Sequence, residues 1–232
     1  MLRHLAIATA LALGSVVIAA PAFAQSASSA QPSNASSPQA VVEDITHQLD
    51  TQIADHKAQL QNNKPKLIAL INQIFLPHFD TDWASILVLG MHAREATPEQ
   101  RSRFAKAFYS SLTNRYAEGL LGYTKGTVKV LPSGGEVNPK YTVVKTQMNT
   151  SDNKPVAVNF VFHQTADGQW KAYDIIIEGI SYITNYRNQV DAEIKKEGLD
   201  KLIADLETQG DKALQKMDQE NKGNKGNQGS QG

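Results

Sequence analysis

Cysteine is absent from the 232 residues. That excludes disulfide bonds, thiol catalysis and thiolate metal sites, so the fold is held by its core alone. It also excludes a lipoprotein anchor, which needs a cysteine after the leader. Charge of one sign is missing too. The 23 Lys and Arg balance 23 Asp and Glu, and this leaves no basic footprint for nucleic acid. Beyond the N-terminus there is no apolar run long enough to span a bilayer. The histidines His47, His56, His78, His92 and His163 are scattered, with no i, i+4 pair for zinc. His92 and Glu95 read as a solvated helix end, and Asp80 and Asp82 as N-capping residues rather than metal ligands. No nucleophile elbow, Walker loop or dinucleotide fingerprint is present. No cofactor is expected.

The one long apolar run is at the start. Arg3 and His4 precede apolar residues 5–20, and Ala22-Phe23-Ala24 fits the small-x-small rule for cleavage before Gln25. Residues 1–24 therefore read as a secretory signal peptide. Its removal leaves 208 residues, enough for one well-buried domain, with a formal charge of −1. Residues 25–40 are rich in Ser, Ala, Gln, Pro and Asn and read as a disordered linker. Residues 208–232, ending in Lys, Asn, Gly and Gln, read as a disordered tail.

Between these ends the first half has helical period. Val41, Val42, Ile45, Leu49 and Ile53 recur at helical spacing, as do Leu67, Ile68, Ile71, Ile74 and Phe75 before Pro77. A short helix is expected over 83–89. Thr97, Pro98 and Gln100 predict a capping box, followed by an i, i+4 stripe of Phe104, Phe108, Leu112, Tyr116 and Leu120. The second half changes to period two. Strands are expected around Val128 and Val130, over 141–148, from Val156 to Phe162 and over 170–177, with Asp167-Gly168 as a hairpin turn. Helices then return over 181–196 and 199–206. Helices first and a meander of strands later mean an α+β fold, with helices packed on one twisted antiparallel sheet.

Asp174 and Glu178 carry the one arrangement with an acid–base reading. Even spacing on a strand puts both carboxylates on one face. The plainer reading, which we favour, is an exposed face with these charges paired to Lys or Arg.

Residues 170–187 resemble the signature of the MlaC family, periplasmic phospholipid carriers of the Mla lipid-asymmetry pathway, also called toluene-tolerance proteins. The matching residues are Trp170, Lys171, Tyr173, Asp174, Glu178, Gly179, Ser181, Asn185, Tyr186 and Arg187. Phe79-Asp80, Val88-Leu89-Gly90, residues 96–100, Phe104 and Gly198-Leu199-Asp200 fit the same pattern. The likeness covers residues 41–207. It departs at Met91-His92-Ala93, where the family is often aromatic.

The resemblance implies an NTF2-like architecture with an apolar cavity between sheet and helices. It implies a non-enzymatic periplasmic carrier of phospholipid between outer and inner membranes, with an inner-membrane ABC transporter complex and an outer-membrane lipoprotein/porin complex as partners. The expected cavity wall is Leu112, Tyr116, Val143, Val156, Val158, Phe160, Phe162, Tyr173, Ile175 and Ile177. Arg187 has two readings: a contact to the lipid phosphate, or a brace paired with Glu178 or Asp174. Two alternatives stay open. One is a cavity enzyme using Asp174, Glu178 or His163. The other is a binder of a different apolar small molecule.

Overall fold

A computed structural model describes residues 37–132, 137–149 and 154–228. The signal-peptide reading (residues 1–24) and most of the 25–40 linker lie outside these residues.

The helical half begins at Ser37, whose hydroxyl caps α1 (Pro38–Gln48) by accepting from the Ala40 amide. Helix thus starts inside the segment expected to be linker. The chain then passes through a π-helical stretch, Leu49–Ile53, a 3-10 turn, Ala54–His56, and the short α2 (Lys57–Leu60). Asn63 caps α3 (Lys64–Phe75). Asp80 caps α4 (Thr81–Leu89), accepting from the Trp83 amide at 2.9 Å. A 3-10 turn, Gly90–Arg94, leads to α5 (Pro98–Leu120). Its capping box forms as the sequence specifies: the Gln100 amide donates to Thr97 Oγ1 at 3.1 Å and the Thr97 amide to Gln100 Oε1 at 2.9 Å.

Strands β1 (Val128–Val130), β2 (Thr142–Asn149), β3 (Pro155–Gln164), β4 (Trp170–Ile177) and β5 (Ile180–Ser181) form one antiparallel sheet in sequence order. The α+β architecture is thus as the sequence order dictates. Two features depart from simple alternation. Val161 pairs with Asp174 but Phe162 pairs with Ala172, so Tyr173 is an extra residue bulged out of β4. Glu178 and Gly179 both have positive φ, 49° and 81°, which is the backbone of a tight hairpin turn between β4 and β5.

Three helices close the chain: α6 (Tyr182–Glu197), α7 (Leu199–Gln209) and α8 (Asp211–Gln228). The last is helix over 211–228, within the segment expected to be a disordered tail; residues 229–232 lie outside the described residues. Ala213, Leu214 and Met217, at i, i+1 and i+4, are buried against the preceding helices. The polar composition that follows them masked this short apolar stripe.

The buried apolar residues form two clusters, not one. A sheet-side core joins α1, α3 and the sheet through Val42, Ile45, Ile74, Val144, Phe162 and Ala172. A helix-side core joins α4 to α8 through Leu89, Phe104, Val190, Ile203, Leu206 and Leu214.

Candidate functional site

The two cores are held apart by an apolar cavity of about 470 Å³. Its sheet-side wall comes from Ile45 and Leu49 of the first helix and π-stretch, Ile71 and Phe75 of α3, and Val158, Phe160, Ile175 and Ile177 of β3 and β4. Its helix-side wall comes from Ala84 and Val88 of α4, Phe108 and Leu112 of α5, and Ile183 and Tyr186 of α6. The mouth lies at the C-terminal end of α5, where the lining residues Tyr116 and Gly119 are exposed. Tyr116 is 40% exposed while Phe108, two turns back, is 5%.

Seven of the ten expected wall residues line this cavity: Leu112, Tyr116, Val158, Phe160, Tyr173, Ile175 and Ile177. Val143, Val156 and Phe162 do not. Val143 alternates with Val144, and the lining residues of β2 are Thr146 and Met148, on the face that Val144 shares. Val156 sits near the start of β3, half-buried opposite Met148. Phe162 shares a strand face with Phe160, but it pairs with Ala172 beyond the bulge and both are fully buried in the sheet-side core. The sequence reading missed the wall from α1, α3, α4 and α6. Their apolar stripes were visible, but nothing in a stripe says whether it meets another side chain or a cavity.

Polar groups gather at the mouth. Tyr116 and Tyr186 share a hydroxyl–hydroxyl hydrogen bond of 2.9 Å, and the Tyr116 and Tyr182 rings meet edge to face. Burial, with Tyr116 beside it, pushes the Tyr182 phenol up to about 12 and the Tyr186 phenol well above its usual value. Both therefore stay neutral hydroxyls at physiological pH. Arg115 lies over the Tyr116 ring and forms an ion pair with Asp218 of α8.

The two carboxylates are not an exposed pair bound to Lys or Arg. Asp174 is 8% exposed and accepts from Ser181 Oγ at 2.6 Å and the Ile183 amide at 3.0 Å. It sits at the N-terminus of α6, where a negative charge meets orphan amides and the positive end of the helix dipole. Glu178 belongs to the β4–β5 turn. Its carboxylate accepts from the Ala157 amide at 2.6 Å, and its own amide donates to the Ala157 carbonyl at 3.0 Å. Both bind backbone and brace the turn from sheet to helix.

Arg187 pairs with neither carboxylate and does not line the cavity. Its Nε donates to the Leu87 carbonyl at 2.6 Å, and it lines a separate cleft between α4 and α6. His163 joins Asp80 at 2.9 Å and stacks on Trp83. His92 meets Asp191 at 2.9 Å across to α6 rather than ending in solvent. Among the described residues no group of His, Asp and Glu is arranged to hold a metal ion, and no helix is long and apolar enough to cross a membrane.

Known proteins resemble this chain in sequence and in fold. The chain is 21% identical over 177 residues to the intermembrane phospholipid transport system binding protein MlaC of Haemophilus influenzae, covering 74% of this chain and 81% of that protein. It is 29% identical over 173 residues to the toluene tolerance protein ttg2D of Pseudomonas putida, covering 73% and 79%. Its fold matches that of a phospholipid-binding protein from Ralstonia solanacearum, solved in complex with a phospholipid, with a TM-score of 0.64 and 26% identity over 75% of this chain and 94% of that one. Residues 43–208 match the model of the MlaC protein family, and the chain belongs to that family.

Proposed function

We propose that this protein is a periplasmic phospholipid carrier that holds lipid hydrocarbon in the cavity between its two cores. The observation that carries the reading is the cavity itself, about 470 Å³ with an almost wholly apolar wall and a tyrosine-rimmed mouth. That volume lies within the ~300–1,000 Å³ range of small-molecule sites and suits lipid hydrocarbon. The phospholipid in the Ralstonia solanacearum relative supports the same cargo class.

The energetics favour a carrier that needs no fuel of its own. Each methylene kept from water is worth ~0.8 kcal/mol, so a chain of ~16 carbons represents about 13 kcal/mol. Crossing water bare is therefore prohibitive. Moving from bilayer to an equally apolar cavity is close to neutral, and loading and release are set by whatever docks at each membrane. The balanced charge of the chain favours protein docking over adhesion to anionic lipid. In this reading an inner-membrane ABC transporter complex and an outer-membrane lipoprotein/porin complex are the two docking partners, and the carrier maintains the lipid asymmetry of the outer membrane. Head groups stay at the mouth, near Tyr116 and Tyr182, while tails enter. Asp174 and Glu178 are committed to backbone amides, so their role in this reading is to fix the wall.

The test is native mass spectrometry of the leaderless protein purified from the periplasm without detergent, followed by extraction and identification of bound lipid. Phospholipid bound in stoichiometric amount is the expected result. A clean unliganded mass, with no uptake from phospholipid vesicles, overturns the proposal.

A further inference from the structure

The chain has six arginines, and five of them are in the described region. Two are neutralised by carboxylates: Arg103 by Glu207 and Arg115 by Asp218. The other three, Arg94, Arg101 and Arg187, converge on one cleft of about 420 Å³. Among the described residues no carboxylate lies within ion-pair distance of any of them. Two are instead fixed by carbonyls: Arg101 Nη1 donates to Ala93 O at 3.0 Å and Ala96 O at 2.6 Å, and Arg187 Nε donates to Leu87 O. A carbonyl orients a guanidinium without cancelling its charge, so the forks are placed in advance and their remaining donors are kept for an external anion. Gly90 completes the arrangement. Its φ of +57° suits glycine, and a Cβ there would stand 3.4 Å from Arg187 Cδ. In a chain of balanced charge this concentration is local and specific.

Apolar surface adjoins these guanidinium groups: the lining residue Ile86 is 36% exposed, and Met91, which follows the lining residue Gly90 in the chain, is 67% exposed. The balanced charge of the chain weighs against adhesion to an anionic bilayer, and free phosphate makes no use of adjoining apolar surface. A protruding carboxylate flanked by apolar side chains fits both features, and arginine with methionine is the composition that interfaces favour. We propose that this cleft is a docking site for an acidic, partly apolar segment of a protein partner, whose carboxylates seat on Arg94 and Arg187 while an apolar neighbour covers Met91 and Ile86. The site is built into the cavity wall. Ile86 and Leu87 of α4 face the cleft while Ser85 and Val88 line the cavity, and Arg187 follows the cavity residue Tyr186 on α6. A partner seated here presses on the two helices that bound the cavity.

The probe is a fluorescein-labelled peptide of alternating glutamate and leucine, titrated with the full leaderless protein and followed by fluorescence anisotropy. Binding to the parent protein that weakens with salt is expected, with Arg94→Glu weakening it at least about tenfold and Arg94→Lys weakening it less. Among the described residues Arg94 makes no hydrogen bond or ion pair that its replacement would break, and urea unfolding confirms the fold of each variant. Lys145→Glu, an exposed site on β2, leaves the affinity unchanged. The proposal is overturned by an absence of peptide binding, by equal binding of Arg94→Glu, by equal weakening from Lys145→Glu, by full displacement with inorganic phosphate, or by Arg94→Glu reducing binding to phosphatidylglycerol vesicles alone. Peptide binding is read independently of lipid content, so failure here leaves the carrier reading untouched.

Discussion

The helix-side and sheet-side cores are built from similar apolar residues but are closed differently. The helix-side core is a bundle of α4 to α8, tied round its outside by Arg103–Glu207, His92–Asp191 and Lys216–Glu193. The sheet-side core sits under a sheet whose β3 and β4 residues Val158, Ile175 and Ile177 are only partly buried by protein, because their other neighbour is the cavity. Its helical cover is also less regular, since Leu49 lines the cavity from within a π-helical stretch, a distortion often kept at functional sites. Domains of this size ordinarily gather one contiguous core. Here enough apolar residues exist for one, and the fold keeps them in two bodies. The cavity therefore reflects placement rather than any shortage of hydrophobic side chains.

The most severe way to break this distinction is to cut into a core rather than a wall. Phe162→Ala removes a fully buried ring and should cost about 3–5 kcal/mol in urea unfolding. Ile177→Ala, at the cavity wall, should cost about 1 kcal/mol, because its side chain is already half out of the core. Lipid affinity should respond in the opposite order, with Ile177→Ala weakening binding and Phe162→Ala leaving it unchanged wherever the protein is folded. Equal stability costs would mean that Phe162 and Ile177 share one core.

The reverse operation fills the cavity. Val158→Trp projects a large ring from β3 into space that Ile177 and Phe160 leave open. Excluding ~3 methylenes of ligand costs about 2.4 kcal/mol, or roughly fiftyfold in affinity. Vesicle-to-protein transfer of a fluorescent phospholipid measures this directly. Thermal unfolding should move little, since overpacking strain arises in filled cores and this site has room. A large fall in unfolding temperature with lipid affinity unchanged in the folded fraction would show that Val158 belongs to the core.

Much of the fold was legible, and the reasons for the failures are physical. The α5 capping box is a local hydrogen-bond exchange, so Thr97 and Gln100 announce it unaided. Alternation along β3 gives the shared face of Phe160 and Phe162, but not which apolar body each one touches. Gly179 marks the break after β4, but the bulge at Tyr173 and the part of Glu178 in the turn were not legible. Only Gly179 carries the residue type that positive φ favours, while Glu178 is held there by its two bonds to Ala157. Asp174 misled because a strand carboxylate usually meets water or a cation. This one meets the first turn of a helix nine residues on, a partner that only the hairpin brings near. Arg187 likewise finds its acceptor a hundred residues away, at Leu87.

The smallest expected effect comes from His78, on the sheet side. His78 Nε2 lies 3.1 Å from Asp44 Oδ2, joining the turn after α3 to α1. Burial lowers the imidazole pKa below its ordinary 6.5, and the Asp44 carboxylate offsets this only in part. The folded state thus holds His78 neutral at pH values where the unfolded chain already takes up a proton. Where the unfolded state binds more protons, stability rises with pH. The His78 contribution is therefore fully present above about pH 6.5 and is lost as pH falls through the lower folded value. Urea midpoints measured from about pH 7.5 down to about pH 5 should fall more steeply for the parent protein than for His78→Gln, which cannot titrate. The loss should appear first at contacts of α1, whose Ile45 lines the cavity, so lipid release in that range should follow the same difference between the two proteins. An identical slope in both would mean that Asp44 fully compensates for the burial of the ring, leaving the attachment of α1 indifferent to pH.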